Sequence, residues 1–222
     1  MAVLKALIVN GSPEPSSPEL VARLAEGYEF IIAVDRGAEV CRRAGVAPHL
    51  FCGDEDSIDA ESSAWVHSGA CREIALEVDK YATDLSVALH YARAEAIRRG
   101  AKLDPAITCA TGGRPDHALA VIGLMLSFKD TGPVLIEDAF ELVVLSPEGR
   151  DSWEFAESDQ GKTFSAIALE PGTVVSEKGM RWELDGAELP LLGDTGVSNI
   201  IEAADAKVTC HEGALAAFLI KA

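Results

Sequence analysis

Asp54 and Asp56 stand two residues apart directly behind Gly53, and Asp84 follows Thr83 further along the chain. Carboxylate oxygens so spaced suit Mg2+, which takes octahedral oxygen ligation, keeps several waters and bridges to substrate phosphates. The run Gly112-Gly113-Arg114-Pro115-Asp116-His117 offers complementary chemistry. Glycines let backbone approach a phosphate closely. A guanidinium grips phosphate oxygens in a fork, and Pro115 opens a helix whose N-terminus favours anions. Asp35 adds a carboxylate after the apolar run Phe30–Val34. Together these residues describe a metal-assisted phosphoryl-transfer site that works by positioning and charge neutralisation.

Each residue also has a plainer reading. Asp84 serves as a helix N-terminal charge. Asp54, Asp56 and Asp59 form a solvated acidic turn, and Gly112-Gly113 a left-handed turn. Asp35-Arg36 is a surface ion pair of little worth. His117 packs along its helix, and Trp182 packs in a core or turn. The chemical reading is favoured by position, which depends on the elements around these residues.

Up to about residue 145, short apolar runs alternate with helical patterns. Strands are expected at Val3–Val9, Phe30–Val34, Leu50–Cys52, Arg72–Leu76, Ala106–Ala110, Val134–Ile136 and Glu141–Leu145. Helices are expected from Ser16/Ser17 to Gly27, from the end of Phe30–Val34 to Gly45, at Ala60–His67, Thr83–Arg99 and Pro115–Phe128. This rhythm predicts a mostly parallel sheet with helices on both faces. In such a sheet the strand carboxyl ends share one edge, where ligands bind. Asp35, Gly53-Asp54-Glu55-Asp56, Asp79 with Asp84, and Gly112–Asp116 all follow strands, so separate loops bring Asp, Gly and Arg to one rim.

After Ser146 the helical patterns stop. Short strand-like runs at Ser152–Phe155, Thr163–Leu169, Thr173–Ser176, Arg181–Leu184, Lys207–His211 and Ala214–Ile220 are punctuated by turns such as Pro171-Gly172 and Asp185-Gly186. This predicts a small C-terminal β-sandwich or barrel, with the boundary at Pro147-Glu148-Gly149. Two motifs mislead. Gly161-Lys162-Thr163 imitates the end of a phosphate loop but sits in β context. Asn10-Gly11-Ser12 spells a glycosylation sequon but reads as a turn on the ligand edge.

The chain has 222 residues, with 48% hydrophobic and 25% charged, which is globular rather than disordered usage. The formal net charge of −17 disfavours nucleic acid and anionic membrane surfaces as partners. An anionic small ligand stays compatible because a metal ion inverts the local sign. Five cysteines without a C-x-x-C pair, an N-terminus with too short an apolar run for a signal peptide, and no run of spanning length predict a cytoplasmic protein.

The segments Val34-Asp35-Arg36-Gly37-Ala38, Gly53-Asp54-Glu55-Asp56-Ser57-Ile58, Thr83-Asp84-Leu85 and Thr111-Gly112-Gly113-Arg114-Pro115-Asp116-His117 resemble the thiamine pyrophosphokinase family. Further on, Gly179-Met180-Arg181-Trp182-Glu183-Leu184, Ala187-Glu188-Leu189-Pro190 and Gly196-Val197-Ser198-Asn199 resemble its thiamine-binding domain. The resemblance implies an α/β catalytic domain over residues 1–146 and a β-sandwich over 147–222. It also implies a homodimer with active sites between subunits. The implied reaction moves the terminal diphosphate of ATP to the hydroxyethyl oxygen of thiamine and releases AMP.

Carried over, Asp54, Asp56 and Asp84 hold Mg2+ and the triphosphate, with Asp35, Gly53, Gly112 and Gly113 close by. Arg114, Asp116 and the neighbouring His117 flank phosphates and thiamine, while Trp182, Ser198 and Asn199 contact thiamine. The proton acceptor for the alcohol is Asp116 or Asp84. The chain departs from the family at Arg36, where Gly is usual, at Glu55 for Phe and at Val121 for Asn. Two added residues lengthen Asp79-Lys80-Tyr81-Ala82-Thr83-Asp84. Alternatives on the same rim are a pyrophosphokinase with another acceptor, a nucleotide hydrolase, or a non-catalytic sensor of thiamine or nucleotide.

Overall fold

The computed structural model describes residues 1–53, 58–75 and 82–221. Asp54, Glu55, Asp56, Asp79 and Lys80 lie outside the described residues. The strands form a large mixed sheet accompanied by helices and a second, four-stranded antiparallel sheet. The chain divides into two compact units: 1–121 with 136–138, and 122–135 with 139–222.

In the first unit β1 (Ala2–Val9), β2 (Phe30–Val34), β3 (Leu50–Gly53), β4 (Arg72–Ala75) and β5 (Ala101–Thr108) lie in the order β5-β1-β2-β3-β4. The pairings among them are parallel. All five residues of β2 are buried, as expected of a strand covered on both faces. The helices are α1 (Pro18–Ala25), α2 (Gly37–Ala44), α3 (Ala60–Trp65), α4 (Asp84–Arg98) and the first part of α5 (Pro115–Ser127). Ser17 caps α1 by accepting from the Leu20 N–H, and Thr83 caps α4 by accepting from the Ser86 N–H. The core gathers Leu7, Val9, Ile31, Ala33, Val40, Phe51 and Ala106. No described helix is long and apolar enough to cross a membrane.

Two elements differ from expectation here. Strand β5 starts at Ala101, before the apolar run, and pairs residue for residue with β1. It stops at Thr108 because Cys109 turns to φ +58. Helix α3 ends at Trp65 and passes into a π-helical turn, Val66–Ala70, where Gly69 has φ +83.

The second unit contains β7 (Phe140–Leu145), β8 (Ser152–Glu154), β9 (Thr163–Ala168), β10 (Thr173–Lys178), β11 (Leu184–Leu189), β12 (Asn199–Ile200), β13 (Lys207–Glu212) and β14 (Leu215–Ile220), with β6 (Val134–Ile136) at the division. Strand β7 pairs antiparallel with β14, so it does not extend the parallel pattern. Strands β12-β9-β14-β7 and β11-β10-β13-β8 each run antiparallel. Their inner residues, among them Leu145, Phe164, Val175, Val208 and Leu215, share one core. The expected strand Arg181–Leu184 is replaced by β11, which starts where that run ends. The expected turn at Asp185-Gly186 lies inside β11, absorbed by Gly186 at φ +58 and a register shift against β10.

Candidate active site

The first unit's site is built from loops at the carboxyl ends of its parallel strands. Asp35 follows β2 with φ +46, an uncommon conformation for a residue with a side chain. Its N–H donates to the Cys52 carbonyl at 3.2 Å, which ties it to β3. A Cβ on Gly53 would stand 2.2 Å from Asp35 Oδ1, so the carboxylate rests against the Gly53 backbone and a side chain there would push it aside. Asp84 opens α4, and its carbonyl lies 3.9 Å from Cys52 Sγ. The loop after β2, the end of β3 and the start of α4 thus bring Asp35, Gly53 and Asp84 together.

The loop after β5 holds Gly112, Gly113 and Arg114. A Cβ on Gly112 would stand 1.7 Å from the Glu14 carbonyl oxygen, so this loop is seated on the loop after β1. Its other anchor is Glu137, a residue that sequence reasoning missed. Glu137 is 5% exposed, and its carboxylate accepts four hydrogen bonds. Oε1 takes the Ala110 N–H at 2.8 Å and the Thr111 hydroxyl at 3.1 Å. Oε2 takes the Cys109 N–H at 3.0 Å and the Ser16 hydroxyl at 2.5 Å. The next residue, Asp138, accepts from the Ser17 N–H and hydroxyl. The rule that singled out the other acids, an acidic residue just past a strand, applies equally to Glu137 after β6.

Arg114 and Asp116 form a two-pronged pair, Nε to Oδ1 at 2.9 Å and Nη2 to Oδ2 at 2.7 Å. Hydrogen bonds from Arg114 hold the Asp116 carboxyl well below the usual range, and Asp116 in turn raises the Arg114 guanidinium. His117 is exposed in the first turn of α5, and Val121 is buried. Beside Arg36 opens a pocket of about 360 Å³, lined by Ser12, Pro13, Pro15, Glu39, Val40, Arg43, Ile58 and Asp59. Ser12 is 7% exposed, and its Oγ is buried with no hydrogen-bond partner among the described residues. The Asn10-Gly11-Ser12 segment, which is irregular rather than a turn, therefore borders this cavity through Ser12.

Among the described residues no three His, Cys, Asp or Glu side chains are grouped to hold a metal ion. Asp84 is placed on the edge, while Asp54 and Asp56 lie outside the described residues. All three candidates are carboxylates, an oxygen-only set that suits Mg2+ chemically.

In the second unit Trp182 is 59% exposed, and Ser198 is exposed at φ +63. Asn199 is 3% exposed, and its amide is occupied within the protein. Nδ2 donates to the Trp182 carbonyl at 2.7 Å and to Glu177 Oε2 at 2.6 Å. Oδ1 accepts the Trp182 N–H at 3.1 Å and the Ile200 N–H at 2.9 Å. Asn199 is thus turned inward as a brace, and Trp182 and Ser198 are the outward-facing members of the trio. Lys162 of the misleading Gly161-Lys162-Thr163 motif pairs with Asp159 at 2.8 Å, at the start of β9.

Residues 21–136 match the family model for the thiamin pyrophosphokinase catalytic domain, and residues 154–215 match the model for its vitamin B1 binding domain. The chain is similar to thiamine pyrophosphokinase 2 of Arabidopsis thaliana, 26% identical over 157 residues, or 70% of this chain. That match spans 59% of the Arabidopsis protein's length. It is similar also to thiamine pyrophosphokinase 1 of Oryza sativa subsp. japonica, 24% identical over 84% of this chain and 71% of that protein. The fold resembles the crystal structure of thiamine pyrophosphokinase from Bacillus subtilis, with a TM-score of 0.82, 22% identity, and coverage of 98% of this chain and 99% of that one. It also resembles the enzyme from Candida albicans, with a TM-score of 0.78, 14% identity, and coverage of 99% and 93%.

Proposed function

Because the chain belongs to the thiamin pyrophosphokinase family, we propose that it transfers the terminal diphosphate of ATP to the hydroxyethyl oxygen of thiamine, giving thiamine diphosphate and AMP. The observation that carries this reading is the gathering of Asp35, Gly53 and Asp84 from three separate stretches of chain at the edge where ligands of parallel sheets bind. In this reading residues 1–146 are the catalytic domain, and residues 147–222 are a β-sandwich that binds thiamine.

Asp54, Asp56 and Asp84 would hold Mg2+ through carboxylate oxygens. The ion supplies neutralisation of triphosphate charge and a template for the phosphates. The alcohol oxygen of thiamine attacks the β-phosphorus in line, and AMP leaves. Gly112 and Gly113 let the loop approach the phosphates, and Arg114 offsets charge that develops during transfer. Arg114 starts in a two-pronged bond with Asp116, so phosphate oxygens compete with that carboxylate for the guanidinium. While the pair lasts, Asp116 is a weak proton acceptor, because Arg114 stabilises its ionised form. The alcohol proton passes to Asp116 once phosphate has displaced it, or to Asp84. His117 borders this group at the start of α5.

The nucleoside end of ATP is assigned to the pocket beside Arg36. Pro13, Pro15, Val40 and Ile58 offer apolar walls to a base. Trp182 and Ser198 face thiamine, with Asn199 behind them. A homodimer with its sites between subunits belongs to the same reading. In the second unit the exposed Leu191, Leu192 and Val197 suit burial against a second copy. Five free cysteines accord with a cytoplasmic location.

The test is one assay with purified protein, Mg-ATP and thiamine. Thiamine diphosphate and AMP should appear in equal amounts. AMP release that ignores thiamine would point to a hydrolase instead.

A further inference from the structure

Strand β10 alternates inward and outward, and its inward positions are Thr173, Val175 and Glu177. The third of these should be apolar. Glu177 is 1% exposed, beside the core that holds Val175, Phe164 and Val208. Its Oε2 accepts from Asn199 Nδ2 at 2.6 Å, while Oε1 is buried without a hydrogen-bond partner among the described residues. Burial pushes the carboxyl up to about 7. A carboxyl held this way is costly, and an apolar side chain of similar volume at such a position is often neutral or stabilising. Stability alone therefore does not account for Glu177.

The account lies in what Asn199 holds. Its single amide takes both the N–H and the carbonyl of Trp182, and it also takes the Ile200 N–H. Trp182 sits between the turn at Gly179 and the start of β11, outside any strand. The Asn199 amide thus anchors both polar groups of its backbone. An amide can face either way round, and its neighbours decide which. Glu177 Oε2 requires the NH2 end, which leaves Oδ1 for the Trp182 N–H. The carboxylate, the amide and the backbone beneath an exposed indole form one chain of contacts.

We propose that Glu177 is a positioning residue for thiamine recognition: through Asn199 it fixes the backbone of Trp182 and so the attitude of the indole toward the substrate's rings. This rests on the reading of Trp182 as a thiamine contact. Glu177 itself touches no substrate, since both carboxylate oxygens are enclosed.

The experiment compares Glu177→Met, Glu177→Gln and Trp182→Ala by thermal melting and by separate KM values for thiamine and ATP. Trp182→Ala should raise the thiamine KM, and a wild-type value there would sink the underlying reading of Trp182. Given that rise, Glu177→Met should melt at or above the wild-type midpoint, with the thiamine KM about tenfold higher and the ATP KM unchanged. Glu177→Gln keeps an acceptor for Asn199 and should return the thiamine KM to within about threefold of wild type. A Glu177→Met thiamine KM within about twofold of wild type would overturn the inference. A melting midpoint well below wild type, or loss of folding, would also overturn it by marking the carboxyl as a core brace.

Discussion

Glu137→Gln isolates the worth of one buried carboxylate to the loop that carries Arg114. Each Glu137 oxygen accepts one backbone N–H and one hydroxyl: Ala110 and Thr111 on Oε1, Cys109 and Ser16 on Oε2. A glutamine replaces one oxygen by NH2, whichever way its amide faces. The hydroxyl on that side rotates to accept, because hydroxyls both donate and accept. The backbone N–H on that side cannot, so one buried donor loses its carboxylate acceptor. An unsatisfied buried group costs about 1–3 kcal/mol, and the remaining bonds lose the strength that a charged acceptor gives, for a total of about 2–4 kcal/mol. For a chain of this size each kcal/mol shifts the midpoint by about 2–4 °C, so melting should fall by roughly 4–16 °C. Since the displaced N–H groups open the loop to Gly112, Gly113 and Arg114, the KM for ATP should rise while that for thiamine changes little. Glu137→Ala leaves both N–H groups without the carboxylate and should melt lower still. Thermal melting with initial rates over a range of ATP checks this. A Gln variant that melts within about 1 °C of wild type with an unchanged ATP KM would refute the clamp.

Other outcomes follow from the same geometry. Asp54→Asn should lower turnover with thiamine and Mg-ATP by orders of magnitude, and chelation of divalent ions should abolish it; near-wild-type turnover removes Asp54 from the metal site. Arg114→Ala should let the Asp116 carboxyl rise toward its ordinary value of about 3.9, followed by carboxylate resonances in an NMR titration. An unmoved titration would mean that Arg114 does not hold the charge. Glu177 has its folded-state value raised, so the native state binds the proton more tightly than the unfolded chain does. Its contribution is therefore most favourable below the unfolded value and falls as pH rises from about 4.5 to about 7. The stability difference between wild type and Glu177→Gln should shift against wild type across that window, measured by denaturant unfolding at both ends. A difference constant in pH would contradict the assignment.

Part of the rim was legible in the sequence, while Asp54 and Asp56 lie outside the described residues. Parallel strands buried on both faces write themselves as unbroken apolar runs such as Phe30–Val34, and caps such as Ser17 and Thr83 mark helix starts by their own chemistry. Those local signals place Asp35, Gly53, Asp84 and Gly112 after strands, and the shared direction of the strands sends them to one edge.

Other features depended on residues far apart in the chain. Glu137 meets Cys109 and Ala110 across 28 and 27 positions, so no local pattern marks it as their acceptor. The inward turn of Asn199 depends on Glu177 and Trp182, and the strand expected at Arg181–Leu184 gave way because Asn199 engages the Trp182 backbone and Met180 makes an isolated bridge to Ile201. Residue type and spacing determine which elements form and which side chains can do chemistry. Which buried donor meets which buried acceptor is decided only when packing excludes water and each polar group must find a partner within the fold.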